Sequence, residues 1–165
     1  KLRAKGISVK YDNRDTQRPG FKFAEWEMKG VPVRIAMGPR DLENGTVEVA
    51  RRDTKEKKVY QLENIENQIE DLLNDIQTSI YKKAFDFREN NITNADTFEE
   101  FVSILDGKAG FVAAHWDGTP ETEEKIKDMT KATIRCIPLN NTLEAGVCVY
   151  SGNPSTQRVL FARAY

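Results

Sequence analysis

The sequence predicts an α/β fold, a mixed sheet with flanking helices, followed by a small second α/β module. Two patterns support this prediction. Short segments in which apolar and polar residues alternate are typical of half-buried strands. From Leu62 to Ile80 the apolar residues instead recur at intervals of three and four, which is typical of one helix face. The break after this long segment places the predicted domains at residues 1–90 and 91–165.

Local signals predict the first elements. Residues 7–11 alternate between apolar and polar side chains, so the chain is expected to open on a strand. A polar loop follows, and Pro19 stands where a short helix can begin, because its fixed φ suits the first helical position. Gly30 is expected to end that helix as its C-terminal cap.

Three strands and a long helix complete the first predicted domain. Residues 31–37 and 46–52 predict strands, and residues 58–62 predict a third strand that returns antiparallel. Residues 38–45 are rich in Gly, Pro, Asp and Asn and predict a loop. The helical spacing predicts one long helix over about residues 62–88.

The second predicted domain mixes helices and strands. Polar residues 89–96 break the long helix, and Thr97 with Glu100 forms a capping box that predicts the start of a new helix. The later segments predict a small sheet and one further helix. The expected elements are a strand at 110–116, a helix at 121–129 and strands at 133–137, 146–150 and 158–165.

Charge is distributed unevenly along the chain. The net charge is −1, yet residues 1–60 hold 15 Lys and Arg against 9 Asp and Glu, while residues 61–165 hold 10 against 17. Phosphate contacts need basic side chains, so nucleic-acid binding is expected in the first region. Chance scatter of surface charge is the alternative.

Composition also indicates the compartment. No apolar run approaches the ~18 residues of a membrane span, and the N-terminal residues lack the apolar stretch of a signal peptide. A cytoplasmic protein without membrane contact is therefore expected. Cys136 and Cys148 are too few for a disulfide framework and are expected to be free thiols.

Several stretches resemble a known family. The motif PGFKFAEWEMKGVPVRIAMGPRDL at residues 19–42, followed by VEVARRDTKEK at residues 47–57, resembles the anticodon-binding domain of prolyl-tRNA synthetases of the archaeal and eukaryotic type. The segments TKATIRCIP, GVCVYSG and RVLFARAY resemble the C-terminal extension of the same type. The resemblance covers nearly the whole chain.

The resemblance implies that this chain is a C-terminal fragment of a class II proline–tRNA ligase. The first strand and helix of the anticodon domain are expected to be missing, and the catalytic domain that uses ATP and Mg²⁺ is expected to lie elsewhere in the parent protein. The fragment is expected to need no cofactor and to be inactive alone. Its expected partners are the anticodon loop of proline tRNA and its own catalytic domain, in a parent enzyme that is expected to be a homodimer.

Guanine recognition explains the residue types that are expected at the RNA site. Proline anticodons carry guanine at their second and third positions, and the edge of guanine donates from an N–H and an amino group and accepts at O6 and N7. A site that binds guanine is therefore expected to contain one carboxylate and several cations. By resemblance, Glu27 and Arg34 are the expected base contacts, helped by Lys57 or Lys55. The alternative for Glu27 is a solvated helix residue. The alternative for Arg34 is an ion pair with an Asp or Glu on a neighbouring strand.

Other residues near this motif have weaker claims. Phosphate contacts position an RNA without reading its sequence, and any basic residue on the right face serves. The candidates are Arg52, Lys22 and Arg40. Trp26 offers a stacking surface, but its place among Phe21 and Phe23 makes a core role the expectation.

The C-terminal extension raises the question of zinc. In many members of the family that this chain resembles, the C-terminal extension binds zinc through four cysteines. The corresponding positions here hold Asp117, Thr122, Cys148 and Ser151. Hydroxyl groups are poor zinc ligands, so zinc is expected to be absent, with packing and hydrogen bonds in its place.

Three single residues complete the prediction. Cys136 lies in an apolar strand and is expected to be a buried thiol. His115, the only histidine, is expected to be hydrogen-bonded and structural, since no nucleophile or acid partner is evident. By resemblance, the carboxylate of Tyr165 would approach the active site of the catalytic domain, and a frayed terminus is the alternative.

Two other function classes compete with RNA recognition. A protein-interaction or scaffolding module can keep such a fold without binding RNA. An independent enzyme needs a nucleophile, a base and oxyanion donors, and the sequence offers no such set. Binding to proline tRNA that weakens steeply with salt would favour the RNA reader over the scaffold.

Overall fold

The computed structural model describes residues 1–108 and 110–164, which fall into two compact units. The first unit is Lys1–Ala84, and the second begins at Phe85, inside the long helix that the sequence assigns to the first domain. Each unit has its own sheet and its own buried cluster. Within the described residues, none of the helices combines the length and the apolar character that crossing a membrane requires.

The first unit is built on a three-stranded antiparallel sheet in the order β1-β2-β3. Val47 and Val49 on one face of β2 pack with Ile65 and Ile69, so the predicted apolar face of the long helix α3 is buried. The elements are a 3₁₀ helix at Leu2–Lys5, α1 at Pro19–Met28, β1 at Val33–Ala36, α2 at Pro39–Asn44, β2 at Thr46–Arg51, β3 at Lys57–Gln61 and α3 at Ile65–Asn90.

The predicted opening strand is wrong. The described residues 7–11 belong to no strand, and the chain instead begins with the 3₁₀ helix. The amide of Ile7 donates to the Leu2 carbonyl, and both side chains pack against the buried cluster. Alternation in a sequence indicates which side chains are buried, but a strand also needs a neighbouring strand with which to pair.

The predicted loop at residues 38–45 is also wrong, because this segment contains α2. Asp41 accepts a hydrogen bond from the Gly38 amide at 2.8 Å, and Pro39 occupies the first helical position. Gly45 then ends the helix with a left-handed φ of 64°. The turn-forming residues are therefore the start and stop signals of a short helix.

The second unit is built on a mixed sheet in the order β4-β5-β9-β6, beside a short β7-β8 pair. β4 and β5 are parallel, whereas β9 is antiparallel to both β5 and β6. The elements are β4 at Ile92–Ala95, α4 at Phe98–Gly107, β5 at Phe111–His115, α5 at Pro120–Thr130, β6 at Ala132–Cys136, β7 at Gly146–Val147, β8 at Pro154–Ser155 and β9 at Arg158–Arg163.

The core of the second unit lies between its helices and this sheet. The rings of Phe101 and Phe161 meet edge to face with their centroids 5.1 Å apart, and Ile126 belongs to the same buried cluster. The predicted capping box starts α4, since the hydroxyl of Thr97 accepts from the amide of Glu100 at 3.2 Å. The predicted break before α4 contains β4, which the sequence analysis missed.

Candidate functional site

An open groove of about 150 Å³ lies in the first unit, beside α1 and the turn between β2 and β3. Five of the predicted RNA-binding residues line it. The lining residues are Phe23, Trp26, Glu27, Val31, Arg34, Ala50, Arg51, Arg52, Lys55 and Lys57. The fold therefore brings together side chains from separate parts of the chain.

Helix α1 supplies one wall of the groove. Trp26 and Glu27 lie three and four residues after Phe23 and so lie on the same side of the helix as Phe23. Trp26 is half-buried rather than a core residue. Its indole N–H donates to Asp12 Oδ2 at 2.8 Å. Hydrogen bonds from Arg14 and then from Trp26 hold the pKa of Asp12 well below its ordinary value, so this acceptor stays charged.

Arg34 projects from β1 into the groove. Its guanidinium carbon lies 3.6 Å from the centroid of the Phe23 ring, a cation–π contact that fixes the plane of the group. Arg34 Nη2 is 3.4 Å from Glu48 Oε1 on the neighbouring strand. Arg34 Nη1 is buried and has no hydrogen-bond partner among the described residues. The side chain is therefore held in place with one donor nitrogen still unused.

The turn after β2 supplies the other cations. Lys55 has a left-handed φ of 64°, and its ammonium group is paired with the Glu27 carboxylate. Arg52 Nε donates to the Glu27 backbone carbonyl at 2.8 Å. These two contacts join the turn to the end of α1.

Arg51 anchors the base of this turn. Its guanidinium donates to both carboxylate oxygens of Asp53, at 2.8 and 2.7 Å, and to Asp75 Oδ2 at 2.7 Å. The hydrogen bonds that Arg51 donates to Asp53 and then to Asp75 raise the pKa of Arg51, and the bonds that Asp53 accepts from Arg51 lower the pKa of Asp53. Both partners therefore stay charged, and the turn is held in one conformation.

Two predicted site residues do not line the groove, and a third lies outside the described residues. Lys22 does not line the groove, and its Nζ is 3.9 Å from Asp12 Oδ1. Arg40 is exposed on α2 and is also absent from the groove lining. Tyr165 lies outside the described residues. The contacts of these three with RNA or with an active site stay predictions.

Sequence reasoning missed two residues that line the groove and one, Glu48, that lies next to two of its cations. Phe23 supports Arg34, Arg51 anchors the turn, and Glu48 faces the two cations Arg34 and Lys57. For Glu48 the sequence indicates only its face of β2. Glu48 alternates with the buried Val47 and Val49, so it had to lie on the opposite face of β2.

The second unit contains the four positions that the resemblance associates with zinc. Asp117 Oδ2 accepts from Ser151 Oγ at 2.6 Å and from Thr122 Oγ1 at 3.0 Å, while Asp117 Oδ1 accepts from Thr119 Oγ1 at 2.9 Å. Burial opposes ionisation of Asp117, but the hydrogen bonds outweigh it and hold the pKa of this carboxyl well below its ordinary value. One carboxylate, two hydroxyls and the buried Cys148 thiol are a donor set that does not fit a structural zinc site.

The remaining candidates of this unit have structural surroundings. His115 is buried and hydrogen-bonded, as predicted: its Nδ1 is 3.1 Å from Ser155 Oγ and its Nε2 is 3.2 Å from Glu144 Oε1. The two cysteines are free, as predicted. Cys136, however, is exposed rather than buried, because the pairing of β6 with β9 shifts register next to it and a bulge redirects side chains.

Comparison with known families agrees with the geometry of both units. Residues 1–72 match the family model described as anticodon binding domain, and residues 98–165 match the model described as prolyl-tRNA synthetase, C-terminal. Residues 1–72 therefore belong to an anticodon-binding domain, and residues 98–165 belong to a prolyl-tRNA synthetase C-terminal domain. The predicted fold class, that of the class II synthetase anticodon-binding domain with a mixed α/β architecture, is thereby confirmed.

Individual relatives of this family match along nearly the whole chain. It is 63% identical over 165 residues to a proline–tRNA ligase of Flavobacterium johnsoniae, covering 100% of this chain and 34% of the relative. It is 63% identical over 164 residues to that of Cytophaga hutchinsonii and 61% identical over 165 residues to that of Porphyromonas gingivalis, covering 99% of this chain and 33% of each relative. The chain thus spans about a third of the length of these relatives. The expected archaeal and eukaryotic type is not borne out, since these relatives are bacterial.

Proposed function

We propose that the groove of the first unit binds the anticodon loop of proline tRNA. The observation that carries this proposal is the convergence of Glu27 with Arg34, Arg52, Lys55 and Lys57 around one open groove. Cations attract phosphates, and they do so without regard to sequence. A carboxylate repels phosphates, so its presence among the cations favours contact with the donor groups of a base.

The state of Arg34 supports base reading over general attraction. Its guanidinium is stacked on Phe23, and the side chain lines the groove and is 20% exposed. A planar donor that is already fixed can meet the O6 or N7 acceptor of guanine with little loss of side-chain entropy. Phe23 and Trp26 also bring aromatic surface to the groove, and unpaired bases stack on such surfaces.

We infer that the parent protein is a cytoplasmic class II proline–tRNA ligase that attaches proline to its tRNA with ATP and Mg²⁺. The 63% identity to proteins named proline–tRNA ligase supports this inference. The catalytic domain would lie in the part of the protein beyond this chain, which is expected to be inactive alone and to bind no zinc. The parent is expected to be a homodimer in which the carboxylate of Tyr165 approaches the active site.

The decisive experiment measures binding of this chain to a stem-loop that carries the proline anticodon. Fluorescence anisotropy would compare it with loops in which the second or third guanine is replaced. We expect each replacement to weaken binding about tenfold, the range of one good base contact. We expect Glu27→Ala and Arg34→Ala to weaken binding of the proline loop and to remove part of the preference for guanine.

A matched variant separates base reading from charge. Arg135 is exposed on β6 in the second unit and is not among the residues that line the groove, so Arg135→Ala removes one positive charge from outside the lining and should leave the preference unchanged. Equal binding of all loops would reduce the groove to sequence-independent attraction. Binding to none of the loops at low salt would instead favour the protein-interaction module.

A further inference from the structure

A second carboxylate lies beside the cations that are proposed to read the anticodon. Glu48 stands on β2, on the face opposite the buried Val47 and Val49. Its Oε1 is 3.4 Å from Arg34 Nη2 and 3.9 Å from Lys57 Nζ. One carboxylate oxygen is thus placed near two cations from the two neighbouring strands.

Glu48 and Glu27 are arranged alike. Glu27 is paired with Lys55 from the turn, and Glu48 is paired with Arg34 and Lys57 from the strands. The side chains of Glu27 and Glu48 are 51% and 38% exposed, so a ligand can reach both. The first unit therefore presents two sets of one acid with a cation, rather than the single acid that the sequence indicated.

An acid next to a cation matches one guanine. The Watson–Crick edge of guanine places the O6 acceptor beside the N1–H and amino donors, so a cation and a carboxylate side by side satisfy the whole edge. A proline anticodon presents two successive guanines, which call for two such sets. The Arg34 side chain of the second set lines the groove and is 20% exposed, so its guanidinium can meet a ligand there.

We propose that Glu48 is a second base-reading carboxylate, which accepts from the N1–H and amino group of one guanine while Arg34 donates to O6 of the same base. Glu27 with Lys55 reads the other guanine. This inference rests on the proposed anticodon-loop binding and adds a specificity-determining residue to it. The ion pairs of Glu48 hold the carboxylate near its working position in the absence of RNA.

The test combines Glu48→Gln with guanine→inosine at each of the two positions. Inosine keeps O6 and N1–H but lacks the amino group, so it removes one donor that a carboxylate accepts. In the unaltered chain, inosine at either position should weaken binding about tenfold. In Glu48→Gln one of these two effects should fall to less than about twofold, and in Glu27→Gln the other should do so, since coupling identifies the contact.

The control is Glu56→Gln, which removes the same charge from the turn. Glu56 pairs with Lys58 rather than with Arg34 or Lys57, so both inosine effects should persist. If Glu48→Gln retains both effects, or weakens guanine and inosine loops equally, Glu48 only positions Arg34 and the proposal is overturned. If the unaltered chain distinguishes guanine at neither position, the proposed function itself fails. Trp26 fluorescence would confirm that each variant is folded.

Discussion

The two units use their polar side chains in different ways. Among the described residues, the buried cluster of the second unit has nine members and that of the first has four. In the second unit the carboxylate of the half-buried Asp117 accepts hydrogen bonds from hydroxyl groups of the same unit. In the first unit Arg34 keeps one donor without a partner among the described residues. Satisfied polar groups hold a structure together, whereas Arg34 and the other charged residues that line the groove can still meet a ligand.

The largest effect is expected from the core of the second unit. Phe101→Ala removes a fully buried ring that contacts Phe161, so we expect the free energy of unfolding to fall by about 3–5 kcal/mol. Urea unfolding followed by Trp116 fluorescence measures this loss, because Trp116 packs against the same cluster. The control is Phe87→Ala, at a ring that is 72% exposed, for which a change within about 0.5 kcal/mol is expected.

Phe101→Ala also tests whether RNA binding by the first unit is independent of the core of the second unit. Stem-loop binding by Phe101→Ala should remain unchanged under conditions in which the second unit is still folded. A loss of binding as large as that of Arg34→Ala would contradict the comparison. It would show that the groove depends on the core of the second unit.

A smaller, pH-dependent effect is expected at Asp117. Asp117→Ala leaves Ser151, Thr119 and Thr122 without their acceptor, so we expect a loss of about 1.5–3 kcal/mol at neutral pH. The pKa of Asp117 is lower in the folded chain than the ordinary value of about 3.9. The charged carboxylate therefore stabilises the fold above that value, and this contribution is lost as the pH falls through the folded-state pKa.

Urea midpoints followed by Trp116 fluorescence from about pH 7 to about pH 3 measure this contribution. The difference between the unaltered chain and Asp117→Ala should be constant near neutral pH and should shrink only at the acidic end. Asp128→Ala removes an exposed carboxylate from the same unit and should show no such difference. A difference that grows on acidification would reverse the sign and refute the role of the charged form.

Much of the fold could be predicted from the sequence, because its elements have strong local signals. The spacing of Ile65, Ile69 and Ile76 predicted α3, and the capping box at Thr97 predicted the start of α4. The errors occurred where the local sequence pattern favours one structure and the surrounding fold favours another. Residues 7–11 alternate like a strand but pair with none, and residues 38–45 are rich in turn formers that instead cap a helix.

The site was predictable only in part, for a different reason. The resemblance supplied Glu27 and Arg34, and the fold places both on one groove. Glu48 carries no local motif, and only the register of β2 beside Arg34 and Lys57 gives it significance. The exposure of Cys136 likewise depends on a bulge between two strands that are distant in sequence. The contacts between neighbouring strands cannot be inferred from a single sequence.

The smallest expected effect is that of zinc on the second unit. Asp117, Thr122 and Ser151 already satisfy one another through hydrogen bonds, and hydroxyl groups bind zinc poorly. We expect the same Tm for this chain after chelation and after addition of zinc, measured by scanning calorimetry.

A positive control replaces Asp117, Thr122 and Ser151 by cysteine, which with Cys148 would give four thiolates. A ligand that binds only the folded state raises its stability, so this variant should gain Tm with zinc. A similar gain in the unaltered chain would mean that other side chains complete a metal site, and it would overturn the view that hydrogen bonds to Asp117 hold this region together.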